Sequence, residues 1–524
     1  MSIKQVSGSS EVDEKLAALM TNATAIAAIA GAVEGTIGPK GLDTMLVDRF
    51  GDVTITNAGV TILDKMEVNH PAARMLINTA KAQQEEIGDG TTTTTIMAGA
   101  LVAVGVDQVV RGVPVARVIE GMRAGLRAAE ASLTKRSRPL AGLDDPALRQ
   151  IAYIAGREHA DIADLVVEAV RLTGQEKLQE QAFKLADTVV AQEGARNEVF
   201  MGVIIDKQRL NKQMPRELKQ VQILVVDDAL EPEEIEDEAL GTEAGFARYL
   251  ELQREFKANI AKLIDMGVGL VLVDRGVHYM AEEMLTDAGV MVVSRVASRE
   301  LRQVAEHCGA RMIKRTGLNK SKADLAGYLG RADVVMEDEK LKQVRLLGGA
   351  GKPMATVLVG AATAEVVGER ERIAKDAASA VQAAVRGGYV PGGGAIEIAV
   401  CRDVERARET VKGMAAYGLD CVSSALRKPL AQIVANAGFN PLEKVEDVIA
   451  AQAEQGSDAL AINCDSGEIA DMLELGVLDP TLVKLHALKA AGEIAEAILR
   501  IDTIIKKKDD SDDNISKSVA NTDF

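Results

Sequence analysis

Four loops rich in glycine contain the residue types and spacings most suited to chemistry. They are residues 38–41 (GPKG), 57–61 (NAGVT), 88–95 (GDGTTTTT) and 391–394 (PGGG). Glycine lets backbone amides come close to a ligand. The free N–H groups at the start of a helix also carry the positive end of its dipole, which favours phosphate. The loops therefore indicate a site for a phosphate-bearing ligand.

The loop at 88–95 is the most informative of the four. Gly88 and Gly90 flank Asp89, whose carboxylate can hold a Mg²⁺ ion that bridges phosphate oxygens. The threonine run that follows offers hydroxyl groups and the N–H groups of a helix start. A plain capped helix after a turn explains the same residues. A Walker A loop is absent, so a nucleotide would bind in another type of fold.

Composition excludes several functional classes. The chain has 524 residues, with 61 basic and 78 acidic side chains and a net charge of −17, which argues against a nucleic-acid-binding surface. Only 7 Phe and 6 Tyr are present, so few side chains could stack on bases. The longest apolar run, residues 96–106, is shorter than the ~18 residues of a membrane span. We therefore expect a soluble, cytoplasmic protein that binds neither nucleic acid nor membrane.

The cysteines and histidines show no metal-binding or disulfide pattern. No Cys-x-x-Cys and no His-x-x-x-His spacing occurs. The residues concerned are Cys308, Cys401, Cys421, Cys464, His70, His159, His278, His307 and His486.

The elements that must position the loops are mainly helical at both ends of the chain. Apolar spacing predicts helices over 15–33, 71–86, 92–110, 151–172 and 365–386, with further helices up to residue 505. Short strands at 53–56 and 60–63 are predicted as a hairpin around Asn57-Ala58-Gly59. The polar tail at 506–524 is predicted to be disordered.

The middle of the chain has a different pattern. Buried-strand runs at 222–226, 268–273, 289–293 and 310–313 alternate with helical stretches at 279–287 and 298–307. This alternation predicts a parallel βαβαβ unit. No G-x-G-x-x-G follows a strand, which argues against a dinucleotide site.

An acidic segment precedes this unit. Residues 231–238 (EPEEIEDE) contain six carboxylates. A helical stretch follows, with an apolar stripe formed by Phe246, Leu250, Phe256, Ile260 and Leu263. The segment is either a solvated charge run that leads into a packed helix, or a projecting arm that packs against another copy of the chain.

Taken together, the loops at 38–41, 88–93 and 390–395 resemble the signature loops of chaperonins, the ATP-driven double-ring folding machines. Residues 499–505 (LRIDTII) are similar as well, and the match in order and spacing runs from about residue 10 to about 505. The acidic arm and helix at 231–264 resemble the built-in lid of the archaeal-type (group II, thermosome-like) class. The small bacterial branch called group III is the alternative.

The resemblance implies a multidomain chaperonin fold. An all-α equatorial ATPase domain would take residues 1–137 and 391–524. A small α/β intermediate hinge domain would take 138–209 and 355–390. An α/β apical domain at 210–354 would bind clients and carry the helical protrusion.

The resemblance also assigns roles to residues. Asp89 would bind Mg²⁺, with K⁺ as a second candidate ion, and Asp376 would orient or deprotonate the attacking water. Taken alone, Asp376 could equally be a solvated helix residue. The expected contacts of ATP are Thr36, Gly38, Pro39, Gly41, Asn57, Gly59, Thr61, Gly88, Gly90, Thr91, Thr92, Thr93, Gly392, Gly393 and Asp479.

The chain departs from the family pattern in two places. Ala58 stands where the family has an aspartate that helps to position the attacking water. No lysine matches the residue that senses the γ-phosphate in the thermosome class, although Arg157 and His159 lie in that region with a different spacing. The first departure predicts slow hydrolysis.

The implied function is ATP-dependent folding of non-native proteins inside a chamber. The chamber would be formed by two stacked rings of identical subunits and closed without a separate lid protein. Two alternatives remain open from the residues alone. One is a ring scaffold that binds nucleotide with little turnover, and the other is a metabolic phosphotransferase.

Overall fold

The computed structural model describes residues 3–7, 10–13, 15–51, 53–233 and 242–507. The helices of these residues are, in chain order, α1 (Lys15–Glu34), α2 (Gly59–Lys65), α3 (Pro71–Glu86), α4 (Thr91–Val110), α5 (Val115–Arg136), α6 (Pro146–Ala155), α7 (Ala160–Thr173), α8 (Gln175–Gln179), α9 (Glu243–Asp265), α10 (Tyr279–Asp287), α11 (Ser298–Cys308), α12 (Lys322–Ala326), α13 (Ala364–Gly387), α14 (Ala395–Thr410), α15 (Ala416–Asn436), α16 (Pro441–Gln455) and α17 (Thr481–Leu499).

The strands of the same residues are β1 (Ile3–Ser7), β2 (Ser10–Asp13), β3 (Thr44–Val47), β4 (Val53–Thr56), β5 (Val189–Glu193), β6 (Glu198–Ile205), β7 (Glu217–Val226), β8 (Val268–Val273), β9 (Met291–Val293), β10 (Gly330–Asp338), β11 (Gln343–Gly349), β12 (Ala355–Ala361), β13 (Tyr389–Pro391), β14 (Leu460–Ile462), β15 (Ile469–Asp471), β16 (Leu478–Pro480) and β17 (Ile505–Lys507).

The chain divides into two compact units. The outer unit joins the two ends of the chain, residues 1–163 and 376–524, and the inserted unit is residues 164–375. All four glycine-rich loops belong to the outer unit, so the middle of the chain is an insertion between them. The boundaries of the three predicted domains stay a prediction.

The outer unit is mainly helical. Two of its helical segments, 17–34 and 91–110, have the length and apolar composition of a membrane span. In the fold, α4 packs against α1, α15 and α17, and most of its residues from Thr94 to Val106 are buried. A helix that is apolar on all sides and enclosed by other helices is a core helix.

The short sheets of the outer unit differ from the predicted hairpin. β4 pairs with β3 in antiparallel register, whereas residues 60–63, predicted as a strand, belong to α2. The sequence VTIL alternates in a way that suits a strand, but its side chains Ile62 and Leu63 are both buried in the helical core. Packing against that core therefore decides the conformation.

The predicted helix at 151–172 is also interrupted. It is split into α6 and α7 by residues 156–159. Arg157 and Glu158 have φ angles of 52° and 61°, a left-handed conformation that breaks a helix and that non-glycine residues rarely adopt.

The inserted unit is built around an eight-stranded sheet. The strand order is β5-β12-β6-β11-β10-β7-β8-β9. The predicted parallel part is present, because β7 pairs in parallel with β8 and β8 with β9. Residues 310–313 form no fourth strand and contribute an isolated bridge between Val226 and Ile313. The rest of the sheet is mostly antiparallel, through β10 and β11, and was not predicted.

Helices cover both faces of the sheet around β7. On one face, Ile223 and Val225 of β7 pack with Leu301 and Val304 of α11. On the other, Leu224 and Val226 pack with residues of α9 and α10. A strand buried on both faces reads as a continuous apolar run, which explains why β7 was recognisable in the sequence.

The predicted lid segment, 231–264, falls partly outside the described residues, because 234–241 are not among them. In α9, the two ends of the predicted apolar stripe differ. Phe256, Ile260 and Leu263 are buried, whereas Phe246 and Leu250 are exposed. The predicted disordered tail begins with Lys506 and Lys507, which belong instead to strand β17 and pair with β2. Residues 508–524 lie outside the described part of the chain.

Candidate nucleotide site

The loop at 88–95 runs directly into the start of α4. Gly88 and Gly90 have φ angles of 83° and 81°, a left-handed conformation that favours glycine. The hydroxyl groups of Thr94 and Thr95 donate to backbone carbonyls of the preceding turn. Those of Thr92 and Thr93, by contrast, have no hydrogen-bond partner in the described part of the chain and are partly exposed. The loop thus presents two free hydroxyl groups at a helix N-terminus.

Two adjacent glutamines of α3 hold the same loop. The Gln83 amide donates to the Asp89 carbonyl at 2.8 Å, and the Gln84 amide donates to the Gly88 carbonyl at 3.0 Å. Gln83 is fully buried, and its side-chain oxygen contacts Nδ1 of His486. Since both carbonyls are engaged from α3, the backbone direction of the loop is fixed before any ligand binds.

The Asp89 carboxyl is enclosed in this loop. Burial raises its pKa, and the negative charge of Asp479 acts in the same direction. The Gly90 N–H, which donates to Asp89 Oδ1 at 2.6 Å, and the positive charges of Lys484 and Arg157 oppose the rise. A bound cation would favour the charged form of such a carboxyl.

Asp89 is not part of a complete set of protein ligands for a metal ion in the described residues. In the residues that the structure describes, no group of three or more His, Cys, Asp or Glu side chains could hold a metal ion. Mg²⁺ in nucleotide sites is commonly held by one or two carboxylates and by the phosphates of the substrate. The partly buried carboxylate of Asp89 fits that mode of binding.

The loop at 57–61 contacts the loop at 88–95. A Cβ atom built on Gly59 would lie 2.5 Å from Thr92 Oγ1 and 3.4 Å from Thr92 Cα, so Gly59 packs directly against Thr92. Oδ1 of Asn57 is buried without a hydrogen-bond partner, which is the state expected of an atom whose partner is a ligand. Ala58 is buried and precedes α2, and Thr61 lies partly buried in its first turn.

The loop at 38–41 follows the end of α1. The Asn436 side chain donates to the carbonyls of Glu34 and Ile37, both at 2.9 Å. The Thr36 hydroxyl donates to Val33, and Gly41 lies against the Thr36 carbonyl. The loop is therefore a tight turn fixed from α15.

The loop at 391–394 rests on the same helix. A Cβ atom on Gly394 would lie 2.8 Å from Leu430 Cβ, and one on Gly38 would lie 3.1 Å from Ile433 Cγ2. Because Leu430 and Ile433 are three residues apart on α15, they lie on one helical face. The loops at 38–41 and 391–394 thus both rest on α15. The prediction of a single site requires such proximity.

Asp479 lies beside the fourth loop. Asp479 pairs with Val390 in the β13–β16 ladder. A Cβ atom on Gly392 would lie 3.0 Å from Asp479 Oδ2. Lys484, in the first turn of α17, donates to Glu397 Oε1 at 2.7 Å and pairs with Asp479 Oδ2 at 2.8 Å.

Asp376 lies on α13, near the loop at 88–95. A Cβ atom on Gly88 would collide with the Ser379 side chain. Ser379 is three residues after Asp376, which places both side chains on the same helical face. Gly156 lies against Ala377 of the same helix, so α13 also reaches the turn that holds Arg157. His159 in that turn contacts the carbonyls of Gly156 and Arg157 through Nδ1.

Comparison with known proteins identifies the family. The profile of the TCP-1/cpn60 chaperonin family matches residues 29–509. A thermosome subunit of Pyrococcus abyssi is 34% identical over 505 residues, which cover 92% of this chain and 90% of the relative. The thermosome α subunit of Archaeoglobus fulgidus is 34% identical over 511 residues, covering 93% and 91%.

A solved structure agrees with these relatives. The crystal structure of a group III chaperonin in the open state superposes with a TM-score of 0.85 at 45% identity, covering 94% of this chain and 99% of that one. The protein is thus a chaperonin by fold, and the chain belongs to the TCP-1/cpn60 chaperonin family. Both the thermosome-like class and its group III branch are represented among its relatives.

These findings confirm the predicted family, the chaperonin fold and the function of an ATP-dependent chaperone with a built-in lid. Nothing in them favours a phosphotransferase or an inert scaffold. The roles given to individual residues stay predictions.

The prediction from sequence missed several residues that hold the site. They lie outside the glycine-rich loops: Gln83, Gln84, Ser379, Glu397, Lys484 and His486. Two of them carried a signal, because Glu397 and Lys484 are charged residues within apolar helical sequence, where such side chains are almost never buried unless they are paired.

Proposed function

We propose that the protein uses ATP binding and hydrolysis in the outer unit to open and close a chamber in which non-native proteins fold. The observation that carries the proposal is a chain of contacts that links all four glycine-rich loops. Gly59 lies against Thr92, the loops at 38–41 and 391–394 both rest on α15, and the first turn of α17 contacts both Gly90 and Asp479. The site would work in the cytoplasm, where ATP is available.

In this proposal the four glycine-rich loops together form a nucleotide cradle, which binds the phosphates. The N–H groups at the start of α4 and the hydroxyl groups of Thr92 and Thr93 face the ligand, and the helix dipole adds to the attraction. Asn57 Oδ1, which is buried without a partner, accepts a hydrogen bond from a ligand or a bound water, or coordinates an ion. K⁺ is one candidate because an amide oxygen is a hard ligand.

Mg²⁺ would be held by Asp89 and would neutralise phosphate charge as hydrolysis proceeds. Asp376 would orient the attacking water or take its proton. Its helix, α13, meets the phosphate loop at Ser379 and Gly88, which supports this role. Ala58 adds only a buried methyl group where a second carboxylate would assist the water.

The inserted unit would bind and enclose the client. The N-terminal part of α9 exposes Phe246, Tyr249 and Leu250. A cluster of exposed apolar side chains usually marks a contact surface. We assign these residues to the lid, which closes by contact with other copies of the chain, so that no separate lid protein is needed.

The outer unit also has a surface suited to ring assembly. In the β3–β4 hairpin, Met45 pairs with Ile55 and Val47 pairs with Val53, so these four side chains share one face of the hairpin. All four are more than half exposed. Exposed apolar side chains grouped on one face mark a contact surface for another protein, and we propose that this face joins neighbouring subunits in each of two stacked rings.

The test combines mass and activity. Light scattering after size-exclusion chromatography, with electron microscopy, should show a double ring. A chemically unfolded client should regain activity only when the protein and hydrolysable ATP are both present. A stable monomer or dimer, with and without ATP, contradicts the assembly. Client recovery that does not depend on ATP contradicts the coupling.

A further inference from the structure

The peptide unit between Asp89 and Gly90 is held at both of its polar atoms. Its carbonyl oxygen accepts a hydrogen bond from Gln83 Nε2 at 2.8 Å, and its N–H donates to Asp89 Oδ1 at 2.6 Å. Because a trans peptide is planar, its C=O and N–H point in opposite directions and turn together. A donor that fixes the carbonyl oxygen therefore also fixes the N–H group that holds the Asp89 carboxylate.

Gln83 reaches this peptide from α3 and is fully buried. A Cβ atom on Gly90 would lie 3.1 Å from its amide nitrogen, so the side chain packs directly against the peptide. The other end of the amide, Oε1, contacts Nδ1 of His486 on α17. Since the Gln83 nitrogen donates to the Asp89 carbonyl, Oε1 is the acceptor and His486 donates through its Nδ1–H. Both ends of the amide are occupied, which fixes its orientation.

The two oxygens of the Asp89 carboxylate are in different situations. Oδ1 accepts a hydrogen bond from the Gly90 N–H, whereas Oδ2 has no hydrogen-bond partner in the described part of the chain. The side chain itself is partly buried. One oxygen is therefore anchored to the fixed peptide, and the other is open to a ligand.

Divalent cations differ in how strictly they require a fixed oxygen ligand. Mg²⁺ needs near-ideal octahedral geometry with oxygens at about 2.0–2.1 Å, whereas Ca²⁺ accepts roughly six to eight oxygens at about 2.3–2.6 Å in flexible arrangements. A carboxylate held in one orientation suits Mg²⁺, and one that can turn is still suited to Ca²⁺. The fixed peptide at 89–90 therefore bears on the choice of ion.

We propose that Gln83 and His486 are positioning residues for the divalent cation: they hold the Asp89 carboxylate in one orientation, and this makes the site prefer Mg²⁺ to Ca²⁺. The inference rests on the proposed function, because it requires that Asp89 binds the cation that accompanies the nucleotide. Neither residue is assigned a contact with the ion. His486 orients Gln83, Gln83 fixes the 89–90 peptide, and that peptide anchors the carboxylate.

The competing explanation is that these hydrogen bonds only satisfy buried polar groups. Leaving such groups unpaired lowers the stability of the fold, and it would weaken the binding of both ions to a similar degree. Loss of a positioning contact weakens the binding of Mg²⁺ more than that of Ca²⁺. The ratio of the two affinities therefore separates the two explanations.

The experiment measures by calorimetry how tightly adenylyl imidodiphosphate, a non-hydrolysable ATP analogue, binds to the assembled full-length protein with Mg²⁺, with Ca²⁺ and without either ion. Gln83→Met removes the donor to the Asp89 carbonyl and keeps an unbranched side chain of similar length. His486→Leu removes the donor to Gln83 at a partly exposed position, and it should fold even if Gln83→Met does not. His486→Asn keeps an N–H donor near the position of Nδ1.

In Gln83→Met, the affinity for the analogue with Mg²⁺ should fall by about 10-fold or more, the usual loss when a residue that orients a metal ligand is removed. The affinity with Ca²⁺ should fall by less than about threefold, because a flexible coordination sphere tolerates a turned carboxylate. His486→Leu should lower the Mg²⁺-to-Ca²⁺ affinity ratio by roughly threefold, and His486→Asn should keep that ratio within about twofold of the parent.

Several results would overturn the inference. If both affinities fall by the same factor in Gln83→Met and His486→Leu, or if neither changes, these residues do not set the choice of ion, while the proposed function stands. A parent that binds the analogue as tightly with Ca²⁺ as with Mg²⁺ has the same meaning. If binding in the parent needs no divalent ion, the assignment of the ion to Asp89 fails as well. If the parent does not bind the analogue, the proposed function itself fails.

Gln452→Met on α16 is the matched control in the outer unit. Gln452 is also fully buried, and its amide nitrogen donates to the carbonyls of Ala395 at 2.9 Å and Leu460 at 2.8 Å. Its loss should lower the thermal stability of the protein and leave the preference for Mg²⁺ over Ca²⁺ unchanged. A change of preference as large as that in Gln83→Met would show that any buried glutamine has this effect, and the inference would fail.

Discussion

The nucleotide cradle of the outer unit and the exposed end of α9 in the inserted unit are specified in opposite ways. In the cradle, Gln83, Gln84 and Asn436 bond the loop carbonyls from neighbouring helices, so one chain determines the geometry. On α9, Phe246 and Leu250 are exposed, and in the proposed function other copies of the chain cover them. In the proposed function, therefore, contacts within one subunit fix the nucleotide site, and contacts between subunits close the chamber.

The largest effect should come from removing most of the predicted lid segment. Replacing residues 233–250 by a short glycine–serine linker keeps the Glu231–Arg315 ion pair and the buried Leu252. The variant should form rings and hydrolyse ATP but fail to enclose a client. Protease digestion in ATP plus a phosphate analogue measures this: the client should be degraded in the variant and protected in the parent. Equal protection contradicts the lid assignment.

The next largest effect tests the proposed catalytic role of Asp376 on α13. Asp376→Ala should lower the turnover rate by about 100-fold or more, the usual scale for a positioned base, with nucleotide affinity retained. Steady-state hydrolysis and nucleotide titration measure the two quantities. Glu371→Ala, on the same helix and paired with Lys375, is the control and should keep parent activity. A rate within about twofold of the parent removes Asp376 from the mechanism.

Asp89→Ala should act on binding instead of on the chemical step. Without the carboxylate, the affinity for Mg·ATP should fall by roughly 10-fold to 100-fold, the range for lost interactions of a charged group. Titration with and without Mg²⁺ separates the ion from the nucleotide. Asp107→Ala, at the other end of α4 and paired with Arg111, should bind as the parent does. A Mg²⁺ dependence that survives in Asp89→Ala places the ion elsewhere.

The smallest effect concerns Ala58. Ala58→Asp restores the carboxylate of the family pattern beside the proposed water, and the single-turnover rate should rise by about 10-fold with little change in affinity. Ala58→Asn has the same size without the charge and should give a smaller gain. An unchanged or slower rate in Ala58→Asp shows that the site works without the second carboxylate, and adaptation through Arg157 would be one route.

The parts of the fold that sequence could predict are those fixed by local pattern. Helix α3 begins at Pro71 and ends at Glu86, as predicted, because a proline start and a regular apolar stripe define it. Strands β7 and β8 were evident as apolar runs. Strands β10 and β11 were missed. They pair with each other as a local hairpin, but their place in the sheet depends on β7 and β6, more than a hundred positions earlier in the chain.

The candidate site also contains features that sequence could predict and features that it could not. Glycine-rich loops are visible in sequence because their conformation demands glycine, as at Gly88. The residues that bring the loops together are ordinary in type: Gln83, Ser379 and Lys484 gain meaning only from partners distant in sequence. No spacing rule within the chain would have identified them.

The exposed position of Phe246 gives the protein a spectroscopic use. The chain contains no tryptophan, so Phe246→Trp would introduce its single indole fluorophore. Phe246 is 54% exposed, and an indole there should emit at the long wavelengths of a hydrated ring. Covering that surface would shift the emission to shorter wavelengths, so a fluorescence trace started by adding ATP would time the burial of this end of α9.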